Sequence, residues 1–200
     1  VKIGSAAPLT GAIAHIGQDQ ADGAQLAVNE INKAGNLVIG GQKIKLVLDS
    51  QDDAADPKTG TQVAQKLVDD GVVAVVGHLN SGVSIPASKI YSDNGVVQIT
   101  PASTNPQYTL QGYKTTFRVI GTDAQQGPAL AKYAQKLGFK KVAIVDDATA
   151  YGQGLADEFS KTAKAEGIQL VSRDATNDKA TDFKAILTKI KAERPDVIFY

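Results

Sequence analysis

Two short polar segments of this chain concentrate small and hydroxyl-bearing residues. Residues 77–82 follow an apolar run at 72–76, and residues 100–106 follow an apolar run at 96–99. Such short apolar runs are typical of buried parallel strands. The carboxyl ends of parallel strands form the edge at which open α/β folds bind their ligands. The sequence therefore predicts a binding site built from these two segments.

The residue types in the two segments indicate the chemistry of the site. Ser81 stands where the N-cap of the next helix is expected, so its hydroxyl either caps that helix or binds a carboxylate beside the helix amides. The carbonyl of Ala102, the amide of Ser103 and the hydroxyl of Thr104 can face one point. Carbonyl and hydroxyl oxygens accept from an ammonium group, whereas amides and hydroxyls donate to a carboxylate. The two segments together suit an α-amino acid.

A third polar segment, residues 146–150, follows another apolar run and leads into a helix that begins at Tyr151. The phenol of Tyr151 either contacts a ligand or packs against the start of its own helix. Gly152 and Gly154 are not a dinucleotide fingerprint, because residue 157, where the third glycine belongs, is Asp.

The sequence lacks the residues that metal binding and nucleophilic catalysis would require. Cysteine is absent and His15 and His78 are the two histidines, so no metal site with several histidines is expected. We expect His78 to orient the segment that follows it by packing. The acidic residues at 49–56 lack the pattern of a calcium loop and are expected to form a solvated loop that caps the next helix. Ser81 has no identifiable base, so the sequence predicts binding without catalysis, metal or cofactor.

The composition excludes other partners. The chain has 200 residues, 42% of them hydrophobic, and its 21 Lys and Arg balance 21 Asp and Glu. The charges are interspersed, which gives no footprint for nucleic acid. No apolar run approaches the roughly 20 residues of a membrane span, so no direct membrane insertion is expected. The first residue is Val, which we interpret as the result of removing a leader.

Short apolar runs alternate with segments of helical spacing, which predicts an α/β fold built from βαβ units with parallel strands. Glycines after the helical segments and a capping box at Thr122 and Gln125 agree with this pattern. The predicted strands are 2–8, 43–49, 72–77, 96–99, 115–119, 141–146, 168–172 and 196–200.

The alternation is interrupted between residue 100 and Gly121, which predicts a boundary between two lobes. Residues 1–120 form the expected N-terminal lobe. We expect residues 121–200 to form the first part of a second, incomplete lobe, because the chain stops within a predicted strand. We expect the two lobes to enclose a ligand in a cleft by hinge motion.

The chain resembles the type I periplasmic solute-binding proteins of ABC importers, and within them the branched-chain amino acid (leucine, isoleucine, valine) binding family. The resemblance covers essentially all 200 residues and implies two Rossmann-like lobes with parallel sheets. The motifs that carry it are A-P-L-T-G at 7–11, D-D-A-A-D-P-K at 52–58, G-H-L-N-S-G at 77–82, P-A-S-T-N-P at 101–106, Q-G-P at 126–128 and Y-G-Q-G-L-A at 151–156.

The resemblance implies that the chain binds the α-carboxylate and α-ammonium of an amino acid through hydroxyl and backbone groups, and that an aromatic ring closes from the second lobe. Some relatives have a disulfide whose positions correspond to Ala55 and Asn80 here, so this chain lacks it. The implied ligand-binding residues are Ser81, Ala102, Ser103, Thr104, Tyr151 and Asn80, with Leu79 and Ile16 near the ligand side chain.

The resemblance also implies an extracytoplasmic, periplasmic protein from which a signal peptide has been removed. It would act as a monomer and deliver its amino acid to the membrane permease of an ABC importer. The alternative is a ligand-sensing domain of a regulator or receptor with the same fold. An enzyme of flavodoxin-like or hydrolase type is a third hypothesis.

Overall fold

A computed structural model describes residues 1–200, and the chain divides into two compact units, Val1–Ile120 and Gly121–Tyr200. Strands and helices alternate along both units, and every pair within the two larger sheets is parallel. The predicted α/β fold with parallel sheets is therefore confirmed.

The first unit is built on a five-stranded sheet in the order β4-β1-β5-β6-β7. The order runs outward from β1 in both directions, so β1 and β5 flank a topological switch point, where open α/β sheets place their ligands. The strands are β1 (Lys2–Ala7), β4 (Val47–Asp52), β5 (Ala74–Gly77), β6 (Val97–Thr100) and β7 (Thr116–Arg118), and the helices are α1 (Ala14–Ala34), α2 (Pro57–Asp69), α3 (Ser81–Asp93) and α4 (Gln107–Leu110).

The core of the first unit joins the sheet to α2 and α3. A Cβ on Gly60 of α2 would lie 2.1 Å from Val83 of α3, so this glycine permits the two helices to approach closely. Because protein interiors are close-packed, such contacts fix the start of α3 relative to the sheet. The buried core residues are Ala6, Val63, Ala64, Leu67, Val72, Val75, Ala87, Tyr91 and Val96.

The prediction of one strand over residues 43–49 was wrong. A separate antiparallel hairpin uses the first of these residues, with β2 (Val38–Ile39) and β3 (Gln42–Lys43) joined through Gly40 and Gly41. Both glycines have positive φ, 57° and 79°, as a tight hairpin turn requires. The sheet strand β4 begins only at Val47. The short helix α4, inside the segment predicted to be a loop, was also missed.

The second unit has a three-stranded parallel sheet in the order β10-β8-β9. Its core includes the stacked rings of Phe159 and Phe199, whose centroids lie 3.9 Å apart. Gln125 accepts a hydrogen bond from the Thr122 amide at 2.9 Å, which confirms the predicted capping box. The elements are α5 (Asp123–Lys136), β8 (Lys141–Asp146), α6 (Ala150–Ala165), β9 (Gln169–Ala175), α7 (Lys184–Glu193) and β10 (Val197–Phe199).

The close approach of β1 and β5 gives a stability prediction. A Cβ on Gly77 would lie 2.2 Å from the Ala6 carbonyl oxygen, whereas a Cβ on Gly71, also at positive φ, meets nothing within 4 Å. We expect Gly77→Ala to lower the free energy of unfolding by about 3 kcal/mol or more, and Gly71→Ala by about 1 kcal/mol. Chemical denaturation of both variants measures the difference, and equal losses would contradict the close approach.

Candidate functional site

The two predicted binding segments lie side by side at the carboxyl ends of β5 and β6. The strands are paired in parallel with Ala74 opposite Val97 and Val76 opposite Ile99. The residues that follow them therefore leave the sheet at the same level. In the first segment the chain enters α3 after three residues, and in the second it continues to α4.

The hydroxyl of Thr100 joins the two segments. Its Oγ1 donates to the His78 carbonyl at 2.8 Å and accepts from the amides of Ala102 at 3.2 Å and Ser103 at 2.9 Å. The Ser103 amide, which the sequence offered as a ligand donor, is thus engaged within the protein. These hydrogen bonds fix the segment after β6 against the segment that precedes α3.

Ser103 also connects the two segments through its side chain. Its hydroxyl oxygen lies 2.6 Å from Ser84 Oγ, 3.2 Å from the His78 carbonyl and 3.0 Å from the Leu79 carbonyl. The side chain is fully buried. The carbonyl of Ser103 accepts from Arg118 Nη1 at 2.7 Å. Ser103 is placed to hold the two segments together.

The sequence predicted Ser81 as the N-cap of its helix, but in the structure Ser81 is the first residue of the helix. Asn80 is the N-cap, and its side chain makes no capping hydrogen bond. The buried Ser81 Oγ accepts from the Asn105 amide at 3.2 Å, which leaves its own O–H free to donate. The amides of Ser81 and Gly82 have no acceptor inside the helix, because the first turn of any α-helix leaves its amides unpaired. The start of α3 is therefore a donor site.

Two further polar atoms at this edge are buried without a hydrogen-bond partner, Thr104 Oγ1 and Asn80 Oδ1. Buried polar atoms in folded proteins are nearly always hydrogen-bonded, so exceptions require an explanation. Both residues belong to the predicted site. A polar ligand at the edge of the sheet would supply the missing partners.

An open cavity of about 470 Å³ lies beside these segments in the first unit. It brings together three predicted residues, Ile16 from α1, Leu79 and Ala102. Gln20 also lines the cavity and is fixed by a hydrogen bond from its Nε2 to the Ala6 carbonyl at 3.1 Å. Aliphatic side chains, with Val76 among them, form most of the lining, which suits an apolar group.

Tyr151 belongs to the second unit and is the second residue of α6. The residue is 41% exposed and lines a separate cavity of about 210 Å³ with Asp146 and Leu155. The helix start is fixed by Thr149, whose Oγ1 accepts from the Gly152 amide at 3.0 Å. Tyr151 is thus accessible for contact with a ligand.

Sequence reasoning missed the role of Asp53, which was expected in a solvated loop. Asp53 is fully buried, and its Oδ2 lies 2.6 Å from His78 Nδ1. His78 Nε2 lies 3.1 Å from the hydroxyl of Tyr91, whose pKa is raised by burial and by the nearby Asp53. Asp53 and His78 are 25 residues apart and directly follow β4 and β5, two strands that are not neighbours in the sheet. No spacing rule could have found this pair.

Asp52 fixes the segment that leads from β1 to α1 and so to Ile16. It accepts from the Leu9 amide at 2.8 Å, from Thr10 Oγ1 at 2.6 Å and from the Ala54 amide at 2.8 Å. Burial acts to raise the pKa of Asp52, but these hydrogen bonds favour the charged form and lower it overall. The expected loop capping is confirmed for Asp56, which accepts from the Thr59 amide at the start of α2.

The comparison with known families gives the class of this protein. The model of the periplasmic binding protein family matches residues 1–200. The chain belongs to this family, and its mixed α/β structure is that of the type I periplasmic binding proteins.

Individual relatives point the same way. The chain is 45% identical to the Leu/Ile/Val-binding protein BraC3 of Rhizobium johnstonii over 201 aligned positions, covering 100% of this chain and 54% of the relative. The leucine binding protein LivK of Thermotoga maritima superposes with a TM-score of 0.88 at 30% identity, covering 99% of this chain and 55% of that one. The branched-chain amino acid transporter substrate binding protein LivJ of Streptococcus pneumoniae was solved with isoleucine. It superposes with a TM-score of 0.85 at 33% identity, covering 99% of this chain and 56% of that one. The chain spans about half the length of these relatives.

The lowered pKa of Asp52 predicts how the Thr10 contact depends on pH. A folded-state pKa below the unfolded value stabilises the protein above the unfolded pKa, and this stabilisation is lost as the pH falls through the folded pKa. We expect Thr10→Val to lower the free energy of unfolding at pH 7 and to have a smaller effect near pH 3, measured by chemical denaturation. Thr61→Val is the control, because that hydroxyl donates to the Lys58 carbonyl, which does not titrate. A Thr10 effect that is the same at both pH values would contradict the assignment.

Proposed function

We propose that this chain forms the ligand-capturing part of a solute-binding protein for α-amino acids with branched aliphatic side chains, namely leucine, isoleucine and valine. The observation that supports this function is the combination at one sheet edge of hydroxyl donors and acceptors with an aliphatic cavity. The hydroxyls of Ser81 and Thr104 lie on the two segments joined by Thr100. Leu79 and Ile16 line the adjacent cavity.

In this proposal the start of α3 binds the ligand carboxylate. The Ser81 hydroxyl and the amides of Ser81 and Gly82 are donors, and the helix dipole favours a negative charge there. The Ala102 carbonyl and Thr104 Oγ1 accept from the ligand ammonium. Ser103 acts by holding the segment between them in place. A hydrogen bond to a charged group contributes about 1.5–3 kcal/mol, so two hydroxyls can account for much of the affinity for the zwitterion.

The ligand side chain is proposed to enter the aliphatic cavity. Leu79 and Ile16 are the proposed selectivity residues. Asn80, which follows Leu79 in the chain, has an unpaired Oδ1 and is proposed as a further ligand contact. Tyr151 of the second unit is proposed as a further ligand contact, supported by its exposure at the start of α6. The names of the relatives support the ligand class, since BraC3 is a Leu/Ile/Val-binding protein and LivJ was solved with isoleucine.

The proposal extends to the place and partner of the protein. We propose a periplasmic, monomeric protein that releases its amino acid unchanged to the permease of an ABC importer. The family to which the chain belongs consists of solute-binding proteins, which supports binding without a chemical step. None of the helices combines the length and apolar character needed to cross a bilayer. The alternative, a sensor domain of a regulator, is not favoured by the relatives, which include a transporter substrate-binding protein.

Removal of the two hydroxyls tests the proposed carboxylate and ammonium contacts. We expect Ser81→Ala and Thr104→Val each to weaken leucine binding by about tenfold or more, because each removes a hydrogen bond to a charged group. Calorimetric titration of the full-length protein, refolded to remove any carried ligand, measures the dissociation constants.

Ser92→Ala is the matched control, since Ser92 lies on the same helix, away from its start. It should leave leucine binding unchanged. Parent-like affinity in the Ser81→Ala and Thr104→Val double variant would refute the site. Tight binding of a sugar without any binding of leucine or valine would refute the ligand class.

The aliphatic cavity predicts a preference among amino acids. Leucine has three more carbons than alanine, and each buried methylene contributes about 0.8 kcal/mol, so leucine should bind about 50-fold more tightly. Leu79→Ala should reduce this ratio, whereas Leu26→Ala, at an exposed position of α1, should preserve it. Titration of each variant with leucine and alanine gives the ratios. A ratio unaffected by Leu79→Ala would exclude this residue as a selectivity determinant.

A further inference from the structure

The backbone carbonyl of His78 is the point at which the two ligand segments meet. Three hydroxyl oxygens lie within hydrogen-bond distance of it, Thr100 Oγ1 at 2.8 Å, Ser84 Oγ at 3.1 Å and Ser103 Oγ at 3.2 Å. Each of these hydroxyls belongs to a different element: the end of β6, the first turn of α3 and the loop after β6. A displacement of this one carbonyl would change the position of both segments.

The side chain of His78 fixes where that carbonyl lies. Both ring nitrogens are engaged, with Asp53 Oδ2 at 2.6 Å and the Tyr91 hydroxyl at 3.1 Å. The imidazole and the carboxylate are both fully buried. The other carboxylate oxygen of Asp53 accepts from the Ala55 amide at 2.9 Å, so the carboxylate is in turn held by the loop after β4. The ring therefore has little freedom to move.

His78 is followed by Leu79, Asn80 and the start of α3. Fixing the ring of His78 at one end of this short segment leaves few positions for Ser81 at the other end. The Thr100 hydroxyl fixes the position of Ala102 in the same way, because it accepts a hydrogen bond from the Ala102 amide at 3.2 Å. A buried, fully paired polar network is costly to form incompletely, so it specifies one arrangement.

We propose that Asp53 and His78 are a positioning pair for amino acid binding, which acts through the His78 carbonyl to place Ser81 for the ligand carboxylate. The pair does not contact the ligand. The inference rests on the proposed function, because it assigns the pair a role in that same site. It predicts that the contribution of Ser81 to affinity depends on the pair.

A double-mutant cycle tests this dependence, with leucine titrated into the full-length protein. We expect Asp53→Asn to weaken leucine binding by about tenfold, and Ser81→Ala to have little further effect in that background, so the double variant is no more than about threefold weaker than the weaker single variant. Independent contributions would multiply, and a loss of about a hundredfold in the double variant would overturn the proposal.

Ser160→Ala serves as the control for destabilisation without a role in the site. This buried hydroxyl of the second unit donates to the Ala156 carbonyl at 2.6 Å and has no hydrogen bond to the pair. Combined with Ser81→Ala, it should leave the effect of Ser81→Ala unchanged. If the Ser160 variant shows the same coupling as Asp53→Asn, the coupling reflects general instability and the proposal fails.

Thr100→Val provides a second route in case Asp53→Asn does not fold. The substitution conserves volume but removes the hydroxyl between the His78 carbonyl and the Ala102 amide, so it should weaken leucine binding and couple to Ser81→Ala, while Thr100→Ser should restore affinity. Additive effects of Thr100→Val and Ser81→Ala would overturn the proposal. If leucine does not bind the parent, or Ser81→Ala has no effect, the proposed function itself fails and this inference falls with it.

Discussion

The binding edge of the first unit depends on one buried interaction, the hydrogen bond between Asp53 and His78. The segments after β5 and β6 contain few apolar side chains that could pack them in place. Their positions are set instead by hydroxyls that converge on the His78 carbonyl, and His78 is fixed by Asp53. Because both side chains are fully buried, water does not compete for this contact, and breaking it would leave a buried polar group unpaired.

The two units use the same local arrangement at the carboxyl end of a strand, the edge strand β4 in the first and the central strand β8 in the second. In the first, Asp52 and Asp53 accept from the amides two residues ahead, and in the second Asp146 and Asp147 do the same. In each case an alanine after the acids takes a positive φ, 52° at residue 54 and 60° at residue 148. Short acidic side chains can hold such turns through their own hydrogen bonds, where an alanine alone would be strained. A capped helix follows in both units, α2 and α6.

Much of the fold was predictable because its signals are local. Glycine ends helices at Gly35, Gly71 and Gly138, which all have positive φ, since the left-handed conformation suits a residue without Cβ. The strand errors have equally local causes: the Gly40-Gly41 turn creates a hairpin that removes residues 42–43 from the sheet. The shift of the cap from Ser81 to Asn80 arises because both residue types favour that position.

The sequence by itself determined the alternating α/β pattern, the polar segments at the strand ends and the candidate residues Ser81, Ala102 and Thr104, because each is written in short stretches of chain. Only the tertiary structure decided which groups remain available to a ligand. The Ser103 amide is engaged by Thr100, and Asp53, which follows β4, is buried against His78, which follows a strand two positions away in the sheet. Hydrogen-bond donors and acceptors are assigned by distance in space, and the order of strands in a sheet is not a local property of the chain.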